Sequence, residues 1–134
     1  MRTLTILLGL VLCLPLTAAD KKPLTKEESA KVIEAAIRKA AKKPTGELTK
    51  SDYEKVKSLS IYSKQLTNVK GMEKLTQLRN LELQRNQLTD VKGLENLTQL
   101  GLITLQNNPD LTKAQIDELQ KALPKCKIYH NAKE

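Results

Sequence analysis

The chain has 134 residues, with 23 Lys and Arg against 15 Asp and Glu and a net charge of +8; that length holds one domain, or a domain plus an appendage. Phe and Trp are absent and only Tyr53, Tyr62 and Tyr129 are aromatic, too few rings for the stacking platforms that nucleic-acid binding uses. The charges are spread along the chain and form no basic arm, so composition implies no more than weak attraction to anionic surfaces.

Residues 1–19 read as a cleaved signal peptide. Arg2 supplies a positive start, and Leu4 to Leu16 is apolar apart from Thr5, Gly9 and Pro15. Thr17-Ala18-Ala19 then places small residues at −3 and −1 of a cleavage site before Asp20. The apolar run is shorter than the roughly 20 residues of a membrane span, which favours removal over retention as an anchor, the alternative reading. Leu12 stands where a lipoprotein signal needs a small residue before Cys13. The expectation is a secreted protein, or a bacterial periplasmic or cell-envelope one, with no membrane span after cleavage. Loss of Arg2 takes the charge from +8 to +7 and loss of Cys13 leaves Cys126 alone, so no intramolecular disulfide staples the domain.

Residues 20–56 are expected to form a helical N-terminal cap. Thr25-Lys26-Glu27-Glu28 is a capping-box pattern. It opens a segment with Val32, Ile33, Ala36, Ile37 and Ala40 on one helical face. The helix should stop near Lys43, before Pro44-Thr45-Gly46. A second pattern, Thr49-Lys50-Ser51-Asp52, starts a short helix that carries Tyr53 and Val56 toward the first strand.

Residues 57–131 are periodic. LTNVKGMEKLTQL from Leu66 returns at Leu88 as LTDVKGLENLTQL, 22 residues later. Val56, Leu59, Ile61 and Lys64 align with Leu78, Leu81, Leu83 and Asn86, and these with Leu100, Ile103, Leu105 and Asn108. One further step of 23 gives Leu123, Cys126, Ile128 and Asn131, with the extra residue absorbed in Asn107-Asn108-Pro109-Asp110. Within each L-x-L the period is 2, so Leu81 and Leu83 face one side and Glu82 the other. One strand per coil, stacked on the next about 4.8 Å away, builds a parallel sheet whose inward leucines form a continuous column. A single coil cannot hide its leucines, whereas several stacked coils can.

Other repeated positions serve the turns. Asn86, Asn108 and Asn131 follow the strands, where a short amide satisfies backbone donors and acceptors left without strand partners; Lys64 at the same place marks the first coil as atypical. Gly71 and Gly93 permit a tight bend where the chain crosses to the outer face, with Val69, Val91, Leu75 and Leu97 pointing back inward. Thr112-Lys113-Ala114-Gln115 opens a C-terminal capping helix carrying Ile116, Leu119 and Leu123 and stopped by Pro124. It leads into a fourth strand, Cys126-Lys127-Ile128, whose lysines discourage edge pairing. Residues 132–134 are a tail.

The L-x-x-L-x-L-x-x-N frame and the run LRNLELQRNQLTDVKGLENLTQ resemble the 22-residue, internalin-like bacterial leucine-rich repeat family, over about residues 45–131. The chain resembles its short exported members. That resemblance implies an α/β fold, a right-handed solenoid with a short parallel sheet of about four strands between helical caps. It also implies a binding role without catalytic residues or cofactor.

The outward strand positions are then the candidate face for a protein ligand. One row reads Ser60, Glu82, Thr104 and Lys127; the next reads Tyr62, Gln84, Gln106 and Tyr129. Ser58, Asn80, Leu102 and Lys125 flank them on one side, and Ser63, Arg85, Asn107 and His130 on the other. Tyr62 and Tyr129, about 14 Å apart across three strand spacings, are apt contact anchors, or else covers for the ends of the sheet. The second reading is a cationic envelope component that binds anionic wall or surface polymers through dispersed lysines.

Enzyme chemistry is poorly supplied. His130 is the one histidine, no His/Cys/carboxylate spacing fits a metal, and neither a P-loop nor a dinucleotide glycine fingerprint is present. A Cys126–His130 nucleophile pair competes with the plainer reading of Cys126 as a buried small hydrophobe at a core position. Asn96-Leu97-Thr98 matches a glycosylation sequon but is read as a repeat residue before a core leucine.

Overall fold

Residues 22–133 are described in the computed structural model, so the signal peptide read in residues 1–19 lies outside the described residues. The N-terminal helix α1, Lys26–Ala41, starts where its sequence asks for a capping box. Thr25 Oγ1 accepts from the Glu28 N–H at 3.1 Å and Glu28 Oε2 accepts from the Thr25 N–H at 2.8 Å, satisfying two otherwise unpaired donors. The helix ends at Lys42, held in the left-handed region at φ 55° just before Pro44. Its buried stripe is Ser29, Ile33, Ile37 and Ala41, four residues apart each time. Ala40, expected on the inner face, is exposed; the helix turns its i, i+4 row inward, and that row ends on Ala41.

Helix α2, Lys50–Glu54, repeats the device. Asp52 Oδ2 accepts from the Thr49 N–H at 2.8 Å and from Lys43 Nζ at 2.8 Å, tying α2 to the end of α1. The Lys43 ammonium and the Thr49 donors hold the Asp52 carboxyl well below the usual carboxylate range. The helical segment meets the repeats through Leu24, whose N–H donates to the Gln65 carbonyl, and through Ser29, whose Oγ accepts from the Thr67 N–H.

Four short strands, β1 Ser58–Ser60, β2 Asn80–Glu82, β3 Leu102–Thr104 and β4 Lys127–Tyr129, form one parallel sheet in sequence order. Leu59, Leu81 and Ile103 pair in a single file, as the 22-residue period requires. With Leu78, Leu83, Leu88, Leu97 and their equivalents they make one buried core. Outer turns cross back through single 3-10 turns at Met72–Lys74 and Leu94–Asn96. Each is entered by a glycine at φ 101° (Gly71) or 105° (Gly93), a conformation costly for any residue with a Cβ. The Glu73 and Glu95 carboxylates accept the glycine N–H groups at 2.7 Å.

The fourth register differs from the one expected. Ile103 pairs with Ile128, not Cys126, so the last step is 25 residues rather than 23. The extra length lies in the last crossover, which runs through helix α3, Lys113–Ala122, where the preceding coils use a short 3-10 turn. A helix advances about 1.5 Å per residue against roughly 3.3 Å in extended chain, so the same outer path takes more residues. Cys126 is buried instead in the turn before β4, where Gln120 Nε2 donates to the carbonyls of Leu123 and Cys126 at 3.0 and 2.9 Å.

The asparagine ladder is correspondingly shorter. Asn86 Oδ1 accepts from the Lys64 and Leu66 N–H groups, while its Nδ2 donates to the carbonyls of Ile61 and Leu83 at 2.7 and 3.0 Å. Asn108 repeats this with the Leu88 N–H and the carbonyls of Leu83 and Leu105. Asn131 does not belong to it. Displaced by the longer crossover, it is exposed and bonds Asn107 through backbone and side chain. Residues 132–133 are also more than a tail: Ala132 packs on the core and the Lys133 carbonyl accepts from the Lys113 N–H.

Candidate binding face

Alternation along three-residue strands decides which side chains the sheet presents. Ser58 and Ser60 flank buried Leu59, Asn80 and Glu82 flank buried Leu81, and Leu102 and Thr104 flank buried Ile103. Lys127 and Tyr129 flank half-buried Ile128 on the same side. The rows nevertheless differ from expectation at β4: Lys127 joins Ser58, Asn80 and Leu102, and Tyr129 joins Ser60, Glu82 and Thr104. Tyr62, Gln84 and Gln106 continue the face past the strand ends, where the Ser63 and Arg85 N–H groups still reach the Gln84 and Gln106 carbonyls.

Tyr62 and Tyr129 are thus diagonal rather than in one row. Three strand spacings and two residues of offset put them about 16 Å apart. They are 54 and 43 % exposed, the large hydrophobic side chains most open to solvent among the described residues. Between them the polar groups are already tied to one another. Ser60 Oγ donates to Glu82 Oε2 at 2.8 Å and Thr104 Oγ1 donates to Gln84 Oε1 at 2.6 Å, each across neighbouring strands. Lys127 Nζ lies 5.8 Å from the centre of the Tyr129 ring, within cation–π range.

Folding sorts charges that look dispersed in the linear chain. The strands and their immediate flanks, residues 57–64, 79–86, 101–108 and 126–131, carry Lys57, Lys64, Arg79, Arg85 and Lys127 against one carboxylate, Glu82. The intervening outer turns, residues 67–77 and 89–99, carry three of each sign. Adding up charge by repeat position would have found this; adding it up by stretch of sequence did not. Arg85 is further marked by its backbone, in the left-handed region at φ 59° beside Ser63 at 55° and Asn107 at 60°.

A second concavity, an open trough of about 1360 Å³, runs between α1, the start of α2 and the outer turns. Six basic and six acidic side chains line it, so it presents no net charge. The residues that could carry chemistry are otherwise engaged. Burial pushes the Cys126 thiol up, because a thiolate would lose its water there. His130 Nδ1 accepts from the Ala132 N–H at 3.3 Å. Among the described residues no three His, Cys, Asp or Glu gather as metal ligands would, and no helix is long and apolar enough to cross a membrane.

No protein-family model matches the chain, and no curated protein matches it. Among solved structures it is similar to internalin C2 of Listeria monocytogenes str. 4b F2365, with a TM-score of 0.50 at 17 % identity over 77 % of this chain and 56 % of that one. The chain therefore spans just over half of that protein's length. The likeness is one of fold, an internalin-like leucine-rich repeat arrangement of coils behind a parallel sheet.

Proposed function

We propose that this chain is an exported bacterial leucine-rich repeat module, non-catalytic, that binds a protein through its strand face. In this reading the coils wind as a right-handed solenoid, and α1 and α3 close its two ends. The observation that carries it is the contrast between the two sides of the strands. Inward positions of β1 to β3 repeat Leu or Ile and are buried, while outward ones are mostly polar, change from coil to coil and are half-buried or exposed. Core packing demands the first pattern and leaves the second free to suit a partner. An exposed tyrosine at either end of a face of small polar groups suits a modest, wet interface with a few anchoring contacts. Ser60, Tyr62, Glu82, Gln84, Arg85, Thr104, Gln106, Lys127 and Tyr129 would make the contact.

The test is binding to the partner at rising salt. Retention near 0.5 M salt, where the Debye length is only a few ångströms, together with loss in Tyr62→Ala or Gln84→Ala, supports recognition by the face. Binding that disappears with salt and ignores both substitutions points instead to the second reading, attraction of the net positive charge, +8 for the full chain and +7 after cleavage, to anionic wall or surface polymers. Export is tested separately. The secreted or envelope form should begin at Asp20, and an intact N-terminus there would replace cleavage with anchoring.

A further inference from the structure

We infer that the partner of the strand face is an acidic polypeptide segment, an inference that rests on the protein-binding reading and narrows it. Lys57 and Arg79 stand on the entry side of the sheet, Lys64 and Arg85 on the exit side, and Lys127 within β4. All five are exposed, and none forms an ion pair among the described residues. The ion pairs that do form are on the helices and the turn between α1 and α2, and none of them reaches the sheet.

The stacking that builds the sheet forces this imbalance on the face. The Arg79 N–H donates to the Lys57 carbonyl at 2.8 Å, so two cationic side chains leave adjacent coils side by side. Like charges so placed repel one another, and no carboxylate intervenes. Glu82 is the one acid on these segments, and the Ser60 hydroxyl already occupies one of its oxygens. An extended segment with carboxylates on both sides of an apolar or aromatic residue matches the pattern: acids toward the two rims, a side chain between Tyr62 and Tyr129. Dispersed surface charge predicts no such locality, because the trough behind the coils is charge-balanced. Complementary potential of this kind governs encounter and register more than final affinity, so the preference should be plain at low salt.

A displayed library of random 12-residue peptides, selected on the immobilised chain at 50 mM salt and counter-selected on Tyr62→Ala/Gln84→Ala, tests this directly. Enriched peptides should be rich in Asp and Glu. A synthetic copy of one should bind at least ten-fold more weakly to Lys57→Glu/Arg79→Glu, and several-fold more weakly to Arg85→Asn/Lys127→Gln. It should bind within two-fold to Lys31→Glu/Lys121→Glu, which makes the same charge change on exposed helix positions away from the sheet. Melting curves of each variant separate lost binding from lost fold. Peptides that depend on the face but show no acidic excess overturn the inference and leave the protein-binding reading standing. If no enriched peptide depends on the face, both fall. Equal weakening by the face and helix charge reversals, or displacement of the peptide by polyphosphate that itself ignores which reversal is present, overturns the inference in favour of polymer binding.

Discussion

The two central coils and the last coil are built from similar residues and solve the same problem differently. In the centre, Leu81, Leu83 and Ile103 are fully buried between neighbours on both sides, and Asn86 and Asn108 stitch each turn to the coil before it. At the end, Ile128 has a neighbour on one side only and is half-exposed, Asn131 lies outside the ladder, and Gln120 rather than an asparagine holds the turn. A repeat motif is stable because of what lies above and below it, so the same letters carry less structure at an end.

The largest expected effect contrasts the two regions on the core side. Leu83→Ala should destabilise by about 2–5 kcal/mol, the range for a buried leucine whose site cannot collapse. Ile128→Ala, half as buried, should cost about 1–2 kcal/mol. Glu82→Ala, between the core positions but facing outward, should stay within about 0.5 kcal/mol in denaturant unfolding. Comparable losses at Leu83 and Glu82 would mean the strand faces are reversed.

Next come the asparagines, which the 22-residue pattern treats as equals. Asn86→Ala strands the Lys64 and Leu66 N–H groups and the Ile61 carbonyl, while the Leu83 carbonyl keeps Asn108, a loss worth about 1–3 kcal/mol. Asn131→Ala, at an exposed site, should stay within about 0.5 kcal/mol. A large loss at Asn131 would restore the shorter register for β4.

That pair shows where sequence patterning stops being readable. Three registers could be read because Leu59, Leu81 and Ile103 sit in coils of equal length, where spacing translates directly into stacking. In the fourth, Leu123, Cys126, Ile128 and Asn131 satisfy the same spacing by letter, yet the path from Leu111 to β4 passes through α3. Patterning counts residues, whereas stacking depends on ångströms, and a helix changes the conversion between them. The capping boxes at Thr25, Thr49 and Thr112 were legible for the opposite reason, since their geometry is wholly local. The outward faces of β1 to β3 followed from alternation. The clustering of cations did not, because it exists only after residues 22 apart are brought side by side.

A smaller effect probes the N-terminal segment against the repeats. Asp52 has its folded pKa depressed by Lys43 and the Thr49 donors, so its contribution to stability is present above its unfolded value, near 3.9, and is lost as pH falls toward the folded one. Wild type should therefore melt above Asp52→Asn at pH 6, and the gap should narrow as the pH is taken to 3. A gap that widens on acidification would show that the carboxylate is not the stabilised form. The Leu83→Ala penalty in the repeats should stay constant across the same range, because a cavity does not titrate.

The smallest effect bears most closely on function. Arg85 occupies a left-handed backbone position at φ 59°, as Asn107 does one coil later at 60°. Asn adopts this region several-fold more readily than residues with longer side chains, so Arg85→Asn should raise stability by about 0.5 kcal/mol. That corresponds to roughly 2 °C in the melting temperature of a domain this size. The same change removes one of the five cations around the sheet, so affinity for an acidic peptide should fall several-fold while the melt improves. Opposite signs in the two measurements would mean that the arginine occupies a place the backbone would rather give to asparagine, and that the side chain is there for what it meets outside the molecule. If stability falls together with binding, the guanidinium is holding the turn, and the charge on the face is a by-product of packing.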